Sequence, residues 1–161
     1  MLAVLAGAVL AAVSAQAEPG KLLHKPAPRF ARTTLDGQRI DLRGLRGKVV
    51  LLSFWATWCT PCQAEMPRFI DWQGRFGGDG LQIVAVSLDD TKEEVHSFLA
   101  ERHTNYPVVM GDVRTAKAFG GILGLPVNFL IDRHGKVAAI FQGESDLGAM
   151  EETLRRLLDS R

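Results

Sequence analysis

Residues 48–56, KVVLLSFWA, are almost without polar side chains and lead directly into a cysteine pair, CTPC at 59–62. A strand this apolar is buried on both faces, so it demands packed layers above and below it. A second such run, LQIVAVSLD, follows at 81–89. Between the two, Met66, Phe69, Ile70 and Phe76 recur at roughly helical spacing. The stretch therefore reads as strand, helix, strand, with the cysteine pair at the first junction. Pro67 falls inside the helical pattern and is expected to kink it.

The flanking sequence extends this unit. FARTTLDGQRIDL at 30–42 alternates around Asp36-Gly37, a hairpin signal. Thr91 to Glu94 form a capping box, and Val95, Phe98 and Leu99 give the helix behind it an apolar face. YPVVM at 106–110 is a short strand candidate, and TAKAFG at 115–120 a short helix closed by glycine. VNFLID at 127–132 and KVAAIFQG at 136–143 pair across an Arg133-His134-Gly135 turn. Ser145 is a candidate N-cap for a last helix striped with Leu147, Met150, Leu154, Leu157 and Leu158. The order implies an α/β protein with a mixed central sheet flanked by helices and an N-terminal β-hairpin.

The first seventeen residues stand apart. They carry no charged side chain and end in Ala15-Gln16-Ala17, the small-x-small pattern of a signal-peptide cleavage site. Residues 1–17 read as an export signal, with an uncleaved anchor as the alternative, and they lack the usual basic start. Residues 18–28 hold three prolines and one glycine and read as a linker or extended lead-in; residues 29–161 are the folded domain. A formal net charge of +1, without any Lys/Arg block, gives no support to nucleic-acid binding.

Both cysteines of the chain lie in the C-x-x-C. Covalent haem attachment needs a histidine at the next position, which is Gln63. A structural zinc site needs about four ligands, and His24, His96, His103 and His134 are scattered without ligand spacing. Cu(I) binding by the two thiolates remains a minor alternative. A staple is a weak reading, because so small a loop constrains the unfolded chain little. Redox exchange suits the position. Cys59 at a helix N-terminus would meet unpaired N–H groups and the macrodipole, which favour a thiolate. Cys62, one turn on, would be the more buried resolving thiol, and Pro61 lacks an N–H that this first turn would leave unpaired.

With these elements in place the chain resembles the thioredoxin superfamily, and within it the TlpA/ResA-like extracytoplasmic disulfide reductases. The carriers are FWATWCTPCQAEMP at 54–67, GLPVNFLID at 124–132 and HGKVAAIFQG at 134–143. The segment between VAVSLDD and YPVVM resembles that branch's central helical insert. The resemblance implies that Cys59 and Cys62 are a nucleophilic and resolving pair forming a redox-active disulfide. It implies that Pro126 is a cis-proline facing them, and that Leu125 offers backbone groups to an extended substrate. Trp58 is expected to shield the site and contact partners, whereas Phe54 and Trp55 read as strand packing. Glu65 has two open readings: an acid tuning the dithiol, or a first-turn glutamate favoured by the helix dipole.

The implied activity is exported protein thiol–disulfide exchange, in the reducing direction, without cofactor or metal. The implied partners are a protein disulfide substrate and a membrane thiol donor, met by a monomer in the periplasm or at the inner membrane's outer face. Cytochrome c maturation and copper-site assembly are the processes such proteins serve. Ser53 stands where thioredoxins keep a buried aspartate, Val127-Asn128 follows the proline in place of a common threonine, and Gly120-Gly121 departs from the pattern. Two competing functions remain. A peroxiredoxin-type peroxidase would want Pro and Thr where Leu52 and Ala56 stand, and a metal- or partner-binding module would use the cysteines without exchange.

Overall fold

The computed structural model describes residues 18–160, so the expected export signal at 1–17 lies outside the described residues. Among the described residues a five-stranded sheet forms the centre, in the order β5-β4-β3-β6-β7. Its strands are β3 (Val49–Trp55), β4 (Leu81–Ser87), β5 (Val108–Met110), β6 (Val127–Ile131) and β7 (Val137–Gln142). β3 runs parallel to β4, and β4 to β5; β6 is antiparallel to β3, and β7 to β6. The sheet is therefore mixed, with β3 at its centre and buried along its whole length.

β3 divides the core by its two-residue alternation. Val49, Leu51 and Trp55 face a cluster with Phe69, Trp72, Met150 and Leu154. These come from α1 (Thr60–Phe76) and α4 (Leu147–Asp159), and Val95 of α2 (Lys92–Glu101) joins them. Val50, Leu52 and Phe54 face the opposite way, onto Phe30, Phe119 and Phe129. Ser53 shares the α1 face with its odd-numbered neighbours. The helical insert expected between the second and third buried strands is α2, opened by the Thr91–Glu94 capping box.

The hairpin of β1 (Ala31–Thr33) and β2 (Arg39–Asp41) turns through Gly37, whose φ of 87° suits glycine. It abuts β5, with Thr34 bridging Val109. The opposite edge is covered by residues expected to be linker. Pro19–Leu22 form a 3-10 turn, Pro26 bridges Lys136, and His24 N–H donates to Val137 O at 2.7 Å. The 18–28 segment is thus docked against β7 rather than a free tether, because β7 presents unpaired backbone groups. Gly120, at φ 93°, allows that approach: a Cβ there would fall 2.5 Å from Pro19.

α1 carries Pro67 within it as one helix. Two local expectations shift. The cap of α4 is Asp146, which accepts from Gly148 N–H and Ala149 N–H, while Ser145 Oγ turns back to Gly143 O. The short helix α3 (Val113–Ala118) begins earlier than its sequence suggests, because Asp112 caps it through Thr115 N–H.

Candidate active site

The dithiol sits where β3 ends and α1 begins. Cys59 is the N-cap of α1, with extended backbone, and Pro61 occupies the first turn. The two cysteines are joined, with Cα atoms 5.3 Å apart. Cys62 N–H donates to Cys59 Sγ at 3.3 Å, so a first-turn N–H already points at the sulfur that would carry negative charge. Cys59 and Cys62 are both buried, 5% and 2% exposed. The adjacent Trp58 is 70% exposed, whereas Trp55 is buried against Phe98.

The loop before Cys59 is held by a group with no sequence signal. Asp89, buried just beyond β4, accepts from Thr57 N–H at 3.1 and 3.0 Å and from Thr57 Oγ1 at 2.6 Å. Ser87 Oγ donates to its other oxygen at 2.7 Å. Gln63 Nε2 donates back to Thr57 O at 2.6 Å, so the loop is clamped from the sheet and from α1.

Pro126 is cis and buried, at the start of β6. The antiparallel register pairs Phe54 with Val127, which brings Pro126 to the same sheet end as the dithiol. Leu125 is half-buried and packs on both core clusters. Beside it runs a groove of about 340 Å³ lined by Pro19, Gly121, Leu123, Leu125 and Gln142, with Leu123 fully exposed at its rim.

Glu65 is not a first-turn residue: α1 starts at Thr60, and no acid lies in its first turn. Its side chain points inward, 4% exposed. Asn128 Nδ2 donates to Oε1 at 3.1 Å and Oε2 at 3.0 Å. Burial pushes the carboxyl up from 4.5 to about 7, with the Asn128 bond opposing it. The buried Tyr106 phenol is pushed up by burial and then by the Glu65 charge, which keeps it neutral. A cavity of about 10 Å³, lined by Ser53, Cys62, Met66, Thr104 and Tyr106 among others, lies behind the resolving cysteine. Among the described residues no group of three or more His, Cys, Asp or Glu could hold a metal.

The geometry thus gathers Cys59, Cys62 and Pro126 at one end of the sheet. It places Glu65 one turn beyond Cys62, between α1 and β6. Asn128 stands out in the sequence only as a departure from threonine; its contact with Glu65 spans 63 residues and leaves no local trace. Chemically, the site is a disulfide-linked cysteine pair at a helix N-terminus, with a buried carboxyl one turn further along that burial raises to about 7.

Comparison with known proteins agrees with that geometry. Residues 23–140 match the AhpC/TSA family. The thiol-disulfide oxidoreductase ResA of Bacillus thuringiensis is 35% identical over 135 residues, covering 84% of this chain and 78% of that protein. ResA of Oceanobacillus iheyensis is 34% identical over 94% of this chain and 82% of its own length. A crystal structure from Chlorobium tepidum, described as a thiol:disulfide interchange protein DsbE, superposes with a TM-score of 0.77. It has 34% identity and covers 83% of this chain and 95% of that one. Fold and site together define a thioredoxin-like thiol–disulfide oxidoreductase. The chain belongs to the AhpC/TSA family, and its relatives place it with the ResA-type thiol-disulfide oxidoreductases within it.

Proposed function

We propose that this protein is exported and reduces disulfides of specific partner proteins, with Cys59 as nucleophile and Cys62 as resolver. The observation that carries the reading is Cys59 at the N-cap of α1, its sulfur accepting the Cys62 N–H. Once reduced, Cys59 has its thiolate favoured by the helix terminus. It attacks one sulfur of the partner disulfide; the Cys59–partner bond forms, and the other partner sulfur leaves as a thiolate and is protonated. Cys62 gives its proton to Glu65 and attacks Cys59 Sγ. That forms Cys59–Cys62 and releases the second partner thiolate, to which Glu65 returns the proton. Two electrons have passed to the partner, and a membrane thiol donor restores the dithiol.

The partner segment lies extended beside Pro126, pairing with Leu125 backbone groups, and contacts Trp58 and the groove rimmed by Leu123. The small-x-small motif before residue 18 supports export to the periplasm or the outer face of the inner membrane. Among the described residues no helix is long and apolar enough to cross a membrane. The domain acts as a monomer on apocytochrome c or on copper-site proteins. A peroxidase role is disfavoured because Leu52 and Ala56, both buried and apolar, stand where such an enzyme would place Pro and Thr ahead of Cys59.

Equilibration with dithiothreitol and glutathione buffers tests the direction. A potential near that of thioredoxin is expected, about −270 mV; a strongly oxidising value would overturn the reductase reading. Cys59→Ser should abolish disulfide reduction, and Cys62→Ser should accumulate a mixed disulfide on Cys59.

A further inference from the structure

Glu65 and Asn128 meet in the buried layer between α1 and the sheet. Asn128 is fully buried, and its backbone is fixed between Ser53 of β3 and Phe141 of β7. Only one end of its amide is used. Nδ2 donates to both carboxyl oxygens, while the buried Oδ1 has no partner. Buried side-chain amides seldom leave one end unmatched.

The two ends of the amide suit the two states of its neighbour. A carboxylate only accepts, so it calls for Nδ2; a neutral carboxylic acid has a proton to donate, so it calls for Oδ1. Half a turn of the amide exchanges the ends without moving any backbone. Among the described residues only Asn128 is hydrogen-bonded to the Glu65 carboxyl. Tyr106, a buried phenol held in its neutral form, makes no bond to it, and Cys62 lies one turn earlier on the same helix and is joined to Cys59. Among the described residues no cation pairs with Glu65.

We propose that Asn128 is a positioning residue for the Glu65 proton: its amide turns over as Glu65 gains or loses that proton, holding the carboxyl group in place in both states. Glu65 can then accept a proton and return it without leaving its place beside the dithiol. This inference rests on the reading of Glu65 as the acid–base group of the exchange. The raised Glu65 value puts the turnover near neutral pH.

The test is NMR on the full, isotope-labelled, oxidised chain between pH 5 and 9. The Glu65 carboxyl carbon and the Asn128 side-chain amide should titrate with one shared midpoint. Asn128→Leu, similar in size but with neither end, should raise the Glu65 midpoint by about one pH unit, since the two bonds to the charged carboxylate are worth more than the single one from the neutral acid. Asn128→Thr, whose hydroxyl both donates and accepts, should bring it part of the way back. The pH profile of disulfide exchange should move with it. Asn128 amide signals that stay flat through the Glu65 titration would overturn the proposal, as would an unmoved midpoint in folded Asn128→Leu. If the leucine variant does not fold, the wild-type titration and Asn128→Thr decide the matter. A Glu65→Gln variant with an unchanged exchange profile would remove Glu65 from the exchange, while the paired titration in the wild type still judges Asn128 by itself.

Discussion

Glu65 is the residue whose chemistry depends most on its surroundings. An exposed glutamate would be ionised at neutral pH; here burial lifts the value from 4.5 to about 7. Below pH 4.5 the folded and unfolded chains both hold the proton, and no penalty is felt. Between 4.5 and 7 the unfolded chain releases it first, so stability falls as pH rises. Above 7 the buried charge costs on the order of 3 kcal/mol. Glu65→Gln should remove this slope. Urea unfolding of the oxidised proteins should show similar stability at pH 4.5 and a variant more stable by roughly 2–3 kcal/mol at pH 8. A difference independent of pH would contradict the assigned environment. The placement of Cys59, Pro61 and Cys62 at the start of α1 is legible in the sequence, because it follows from spacing along one helix turn. The environment of Glu65 is not, because it is set by burial between α1 and the sheet and by Asn128 of β6, 63 residues further along the chain.

At the scale of the element, the reactive end of α1 is held by its neighbours as much as by its own first turn. The sequence supports the buried β3, the capped α2 and the amphipathic α4, since each is written as a local period or cap. It does not show that Asp89 ties the loop at Thr57 to the end of β4. The sequence reads Ser87–Asp89 as the end of a buried strand and gives Asp89 no role; only the fold turns its carboxylate onto the Thr57 loop. Asp89→Ala leaves Thr57 N–H, Thr57 Oγ1 and Ser87 Oγ without their acceptor. A charged acceptor of this kind is worth about 2–3 kcal/mol, so urea unfolding should show a loss of that size. Disulfide exchange should slow about tenfold, since loss of alignment at a reacting group is costly. Asp89→Asn keeps one acceptor oxygen and should fall between. Full activity in Asp89→Ala would show that α1 alone fixes the loop.

For the whole molecule, the sheet's two edges decide where the domain begins. The β1–β2 hairpin covers the β5 edge, and its Asp36-Gly37 turn announces it. The β7 edge is covered by residues 18–28, whose prolines suggest only an extended path. Leu22 and Ala27 pack on the core face that holds Phe54 and Phe119. His24 N–H and Ala27 N–H donate to Val137 O and Gly135 O, and Val137 N–H donates to Lys25 O. At about 1 kcal/mol for each such bond, plus the apolar contact, the segment contributes roughly 3–5 kcal/mol. A chain beginning at Arg29 should therefore melt on the order of 10 °C lower than one beginning at Glu18. It should also associate more readily, because β7 would then offer a bare edge. Thermal unfolding and light scattering of the two chains distinguish the cases. Equal melting temperatures would make 18–28 a tether, whereas the expected drop makes it the sheet's outer strip. In the latter case the Pro19–Gly120 contact ties it to the loop that carries Leu123 and Pro126 beside the dithiol.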